Sequence, residues 1–187
     1  AGLMLAAQDA QTRAAVAKEN LGAAKLAGYI PPGLSTGKPL ISCDAFWEEI
    51  DEDLTDIARG LVDRVLKDSI TQSYQGLIDF DDQIYMPTLF GGTFPRYGLV
   101  LIDEAQDLSA LNHAMLEKLV VNRLIAVGDP YQSIYAFRGA NINNILNFQK
   151  DYDNVKTYRL EQNYRSTKNI VEAANSIIDN CYCYSFC

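Results

Sequence analysis

Two short apolar runs, each ending on an acid and separated by one helix length, constrain this chain more than any other feature. The first, Tyr97 to Ile102, leads into Asp103-Glu104-Ala105-Gln106-Asp107, and the second, Arg123 to Val127, leads into Gly128-Asp129. Runs this short and this apolar suit strands buried on both faces of a parallel sheet. The segment between them, Leu108 to Val121, has helical composition. Strand, helix and strand at this spacing predict an α/β fold around a parallel sheet. Val155 to Leu160 reads as a third strand and Ser166 to Ile178 as the helix after it, with Ser166 as its cap.

The chain ahead of these runs is different. Residues 3–27 are rich in helix formers, and residues 28–39 hold three prolines and three glycines and read as a loop. Ser42 to Lys67 carries Phe46, Trp47, Ile50, Leu54, Ile57, Leu61, Val62, Val65 and Leu66 at helical intervals, with Asp44 placed to cap it. Leu77 to Phe90 is a further amphipathic stretch, closed by Gly91-Gly92 and Pro95. Residues 141–150 read as another helix.

The 187 residues suffice for one domain and part of a second, and no apolar run is long enough to span a bilayer. Polar residues interrupt the Ala-rich start, so no signal-peptide core is expected and the protein reads as intracellular, cytoplasmic. A net charge of -8 argues against a general nucleic-acid coat, though it leaves room for a narrow strand-binding groove. Of the four cysteines, Cys181, Cys183 and Cys187 crowd the end and face a lone Cys43, a pattern unlike paired zinc ligands. They read as a reactive or disordered tail.

In open parallel sheets, ligands sit at the carboxyl ends of strands. Two adjacent acids there can divide the work: one carboxylate holds Mg²⁺, directly or through its waters, and the next orients or deprotonates an attacking water. Taken alone, Asp103-Glu104 equally suits an acidic helix start favoured by the helix dipole. Likewise Gly128-Asp129-Pro130 is a turn signal, and Tyr135 and Phe137 could be core.

The full strings are more specific. Leu101-Ile102-Asp103-Glu104-Ala105-Gln106-Asp107 resembles the Walker B motif of UvrD/Rep-like superfamily 1 DNA helicases. Gly128 to Gly139 resembles that family's motif III, and Gln162-Asn163-Tyr164-Arg165-Ser166 its motif IV. Ile78 to Asp82 also looks like a segment these helicases carry upstream; Phe80 is expected to be buried there and the acids solvated or capping. The resemblance implies a partial RecA-like P-loop NTPase sheet with a mainly helical N-terminal segment. It further implies that Asp103 holds Mg²⁺, that Glu104 activates water, and that Gln132 and Arg165 sense the γ-phosphate of ATP. Tyr164 would stack on adenine, while Tyr135, Phe137 and Arg138 would face single-stranded DNA, Phe137 standing where the family often has Trp.

The same resemblance divides the chain into a 1B-like helical segment at 1–90, part of a first motor domain at 91–152, and the start of a second, with its cysteine-rich tail, at 153–187. The family's phosphate loop is not matched: Gly33 to Pro39 has three residues between its glycines instead of four, and Pro39 replaces the metal-binding hydroxyl. That stretch reads as a linker. The expectation is therefore an interior piece of an ATP-dependent 3′-to-5′ helicase or translocase, inactive alone. Two alternatives stay open: a catalytically inactive remnant that binds DNA or protein, and the motor part of a helicase–nuclease.

Overall fold

The computed structural model describes residues 20–50, 56–133 and 154–184, with side chains as far as residue 178, and single residues at 15, 18, 148 and 152. The chain separates into two compact units, Ala1–Ile145 and Leu146–Cys187.

In the first unit, helical residues 20–27 (α1) are followed by a loop and then by α2 (Cys43–Ile50), α3 (Asp56–Tyr74) and α4 (Asp82–Leu89). Their core is aromatic. Tyr29 stacks on Phe46 at 4.3 Å between ring centres, and Trp47 meets Phe46 edge-on at 4.8 Å. Val62, Leu66 and Ile70, on one stripe of α3, close over them, with Tyr85 and Leu89 of α4. The Tyr85 hydroxyl donates to the Tyr29 carbonyl at 2.6 Å, and the Tyr29 hydroxyl donates to Asp63 at 2.8 Å, so the buried phenols keep their polar ends satisfied.

One buried ion cluster fixes α1 to α4. The Lys25 ammonium, fully buried, lies 2.7 Å from Asp82 and 2.5 Å from Asp79. Asp79 and Asp82 also exchange bonds across the start of α4, each carboxylate accepting the other's backbone N–H. Asp79 and Asp82 thus cap this turn, whereas the N-cap residue Asp81 makes no side-chain cap bond and Asp82 is buried rather than solvated; Phe80, expected to be buried, is 76% exposed. The reciprocal capping turns residues 79–82 back on themselves and leaves Phe80 at the outside of that turn. Ile57, counted on the apolar stripe, is likewise exposed, lying at the first turn of α3 beyond the core.

Next come β1 (Tyr97–Ile102), a short 3₁₀ turn (Ala105–Asp107), α5 (Ala110–Leu119), β2 (Val120–Ala126) and a second 3₁₀ turn (Pro130–Gln132). Ser109 starts α5 with a capping box, its hydroxyl accepting from the Asn112 N–H while the Asn112 side chain accepts from the Ser109 N–H. Leu111 of α5 enters the aromatic core, and the Lys118 ammonium donates to the Thr88 carbonyl at the end of α4, so the two halves of this unit share one interior. β1 and β2 pair in parallel, Leu99 opposite Arg123 through Ile102 opposite Ala126, with an irregularity between Tyr97 and Leu99.

Two expectations fail here. The strands are not buried on both faces: Leu99, Leu101, Val121 and Ile125 are exposed, while Val100, Ile102, Leu124 and Ala126 are half-covered. The continuous apolar run signals a strand made for cover on both sides, and the described residues cover only one. Val155 to Leu160, in the second unit, forms no strand. A strand exists only with a ladder partner, and the described residues of that unit offer none. The last helix, α6 (Lys168–Tyr184), starts two residues after Ser166 and runs past Ile178, through the backbone of Cys181 and Cys183. Cys187 lies outside the described residues, as does most of residues 141–150.

Candidate nucleotide-hydrolysis site

The parallel pairing sets the carboxyl ends of β1 and β2 side by side. Beyond the regular strands the backbone stays zipped: the Val127 N–H donates to the Ile102 carbonyl and the Ala105 N–H to the Val127 carbonyl, each at 2.9 Å. Asp103-Glu104 and Gly128-Asp129 therefore leave adjacent strand tips together.

Asp103 and Glu104 are both exposed, and one Asp103 oxygen accepts the Glu104 N–H at 3.0 Å. Glu104 adopts the left-handed region, φ 52° and ψ 45°, which costs a residue with a Cβ about 1–2 kcal/mol. That kink folds its side chain back along the chain, where one carboxylate oxygen accepts from Gln106 Nε2 at 2.8 Å. Gln106 is 2% exposed. Its Oε1 accepts the Asp129 N–H at 3.0 Å, and its backbone carbonyl accepts from the Ser133 hydroxyl at 3.4 Å. Asp129 in turn accepts from the Tyr131 N–H at 3.0 Å and from Gln132 Nε2 at 2.9 Å. An unbroken relay thus runs from Glu104 through Gln106 and Asp129 to Gln132.

The structure brings Asp103, Glu104 and Gln132 to one end of the strand pair. Tyr164 and Arg165 belong to the second unit, where both are exposed; the Asn163 side chain accepts the Arg165 and Ser166 N–H groups, each at 2.8 Å, and shapes the turn before α6. Tyr135, Phe137 and Arg138 lie outside the described residues. Sequence reasoning passed over Gln106 and treated Asp129 as turn chemistry. The signal was present: a glutamine two residues beyond Glu104, in a turn tight enough to bring their side chains into contact.

Residues 51–153 match the UvrD/REP helicase N-terminal domain, and these include both strand tips and the relay between them. The chain belongs to the UvrD/REP helicase family. It is 39% identical over 150 residues to the ATP-dependent DNA helicase UvrD1 of Mycobacterium tuberculosis (strain ATCC 25618 / H37Rv), covering 68% of this chain and 19% of that protein. It is 37% identical over 144 residues to the ATP-dependent DNA helicase PcrA of Bacillus subtilis, covering 69% of this chain and 20% of the relative. Against PcrA of Leuconostoc citreum the identity is 42% over 113 residues, 55% of this chain and 15% of the relative. The chain thus spans a fifth or less of the length of these helicases. Among the described residues, no helix is long and apolar enough to cross a membrane.

Two features bear on cofactors. Among the described residues, no cluster of three His, Cys, Asp or Glu side chains could hold a metal ion. Mg²⁺ seldom uses such a cage; it takes one or two carboxylates with waters and substrate phosphates, and Asp103, exposed and with one oxygen engaged, fits that sparse donor set. The Gly33–Pro39 loop is exposed apart from a half-buried Leu34, and its backbone is pinned only at Gly37 and Lys38. A Cβ on Gly37 would lie 2.6 Å from Ile30 and 2.7 Å from Phe90, and the Lys38 N–H donates to the Leu89 carbonyl.

Proposed function

We propose that this chain supplies part of the ATP-hydrolysing machinery of a DNA helicase, with Asp103 and Glu104 as the acids at its centre. The observation that carries the proposal is the relay at the paired strand tips: it holds an acid pair and a glutamine at the carboxyl end of a parallel pair, where α/β sheets receive ligands.

In this reading Asp103 would hold Mg²⁺, which when bound would neutralise charge on the phosphates. Glu104 takes the proton of the attacking water, and Gln132 donates to the γ-phosphate. Tyr164 stacks on the base, and Arg165 offsets the charge that develops during transfer. Tyr135, Phe137 and Arg138 grip single-stranded DNA by stacking and by charge. The sheet belongs to a RecA-like domain at 91–152, residues 1–90 to a helical insertion, and 153–187 to a second motor domain. Movement runs 3′ to 5′, in replication or repair within the cytoplasm.

A binding module without turnover is the competing reading, favoured by the mismatch of Gly33–Pro39 to a phosphate loop, with Pro39 where the metal-binding hydroxyl would stand. The 187-residue chain by itself is expected to show no DNA-stimulated ATP hydrolysis, having no matching phosphate loop in its sequence. The discriminating experiment grafts residues 51–153 of this chain into the Bacillus subtilis relative in place of its corresponding stretch and follows DNA-stimulated hydrolysis. The graft is expected to turn over ATP, and Glu104→Gln within it to lower kcat about 10²-fold or more while nucleotide still binds. A folded, ATP-binding graft that hydrolyses equally well with Gln at 104 removes the catalytic assignment.

A further inference from the structure

Gln106 is buried and is joined through both ends of its amide and through its backbone carbonyl. A carboxylate can only accept and an N–H can only donate, so its orientation is fixed: Nε2 toward Glu104, Oε1 toward Asp129. We propose that Gln106 is a positioning residue that couples the Glu104 carboxylate to the Asp129–Gln132 turn, so that a ligand engaging the acids re-aims the Gln132 side chain. The coupling presupposes the role given above to Asp103 and Glu104.

Three features make the link directional rather than mere packing. Glu104 is held in the left-handed region, a conformation that persists only when surrounding contacts over-determine it, and the Gln106 bond is the contact on its side chain. The Asp129 N–H that Gln106 receives belongs to the residue that orients both Tyr131 and Gln132. The bonds are consecutive, so a shift of Glu104 as a ligand engages the adjoining acids loosens Gln106 from one side and shifts Asp129 on the other. No side chain of different chemistry reproduces this. Leu fills the volume and offers no bond. Glu keeps the acceptor for Asp129 but meets the Glu104 carboxylate with like charge. Asn is one carbon too short to span both.

The test is a Mg²⁺ titration of the ¹⁵N-labelled 187-residue chain, followed by the backbone amides of Asp103, Glu104 and Asp129 and the side-chain amide of Gln132. In the wild-type chain all four are expected to move along one binding curve. In Gln106→Leu and in Gln106→Glu, Asp103 and Glu104 should still respond, while the Gln132 side-chain shift is lost. Unchanged amides of Leu66 and Leu111 verify that the core is intact. Should Gln106→Leu fail to fold, the charge variant and the wild-type titration still decide. A Gln132 response that persists undiminished in the variants overturns the coupling alone, as does a wild-type Gln132 that never moves while the acids do. Silence of Asp103 and Glu104 at millimolar Mg²⁺ instead removes the metal-binding role, and the coupling with it.

Discussion

The Lys25 cluster yields a prediction whose sign is unusual. Lys25 and Asp82 are both essentially out of solvent, with side chains 0% and 2% exposed, and stand 2.7 Å apart. Removing one partner of a buried pair costs about 3–5 kcal/mol, because the other charge is left unpaired, whereas replacing both by apolar groups is close to neutral. Lys25→Met should therefore destabilise by about 3–5 kcal/mol. Adding Asp82→Leu should restore most of the loss, leaving about 1 kcal/mol for the forfeited bond from the Asp79 N–H. Trp47, the only tryptophan and part of the same core, reports unfolding by fluorescence. With a urea slope of about 2 kcal/mol per molar, the single variant lowers the midpoint by about 1.5–2.5 M and the double variant by about 0.5 M. A single variant costing under about 1 kcal/mol, or a double variant less stable than the single, would refute the view that these charges are desolvated and interdependent.

Burial pushes the Tyr29 phenol above its usual range, aided by bonds to Cys43 and Asp63, and burial followed by the Asp82 charge does the same to Tyr85. The folded state thus keeps protons that the unfolded state releases, so stability is complete below pH about 10 and falls above it; urea midpoints should show this slope, and Tyr29→Phe or Tyr85→Phe should flatten it. Burial acts to raise the Asp79 carboxyl, but the Lys25 ammonium and the Asp82 N–H outweigh it and hold it low. Its stabilisation is present above pH about 4 and lost as pH falls further, a loss that Asp79→Asn should abolish in an acid titration of Trp47 fluorescence. Gly28→Ala should cost more than about 1–2 kcal/mol by urea titration, because Gly28 sits at φ +72° and a Cβ there would lie 2.5 Å from Leu40; a neutral substitution would place the loop elsewhere.

What the sequence revealed was whatever depends on neighbours along the chain. The two strands, the helix between them and the acids at the first strand's tip all follow from local apolar runs and breakers. The strand boundaries shifted because α5 runs straight into β2, with no linking residue to mark the junction. Val155 to Leu160 has strand composition but no ladder partner among the described residues of its unit, and composition alone cannot supply one. Phe80 was misplaced because the bonds exchanged by Asp79 and Asp82 decide which way residue 80 turns, and nothing in the local pattern encodes that exchange. Gln106 was overlooked for a related reason: its importance comes from a contact with Asp129, 23 positions away.

The direct junction of Leu119 to Val120 has a consequence for how this protein can vary. Leu111 anchors the helix in the aromatic interior, and the ladder anchors the strand, so the segment is taut between two fixed points. One inserted residue there would have no loop to absorb it. It would either rotate the helix off its seat or advance β2 by about 3.3 Å, turning each strand side chain to the opposite face and carrying Asp129 out of hydrogen-bonding range of Gln106. Descendants of this sequence are free to lengthen the loop after α1, but between Leu119 and Val120 chain length itself is under constraint.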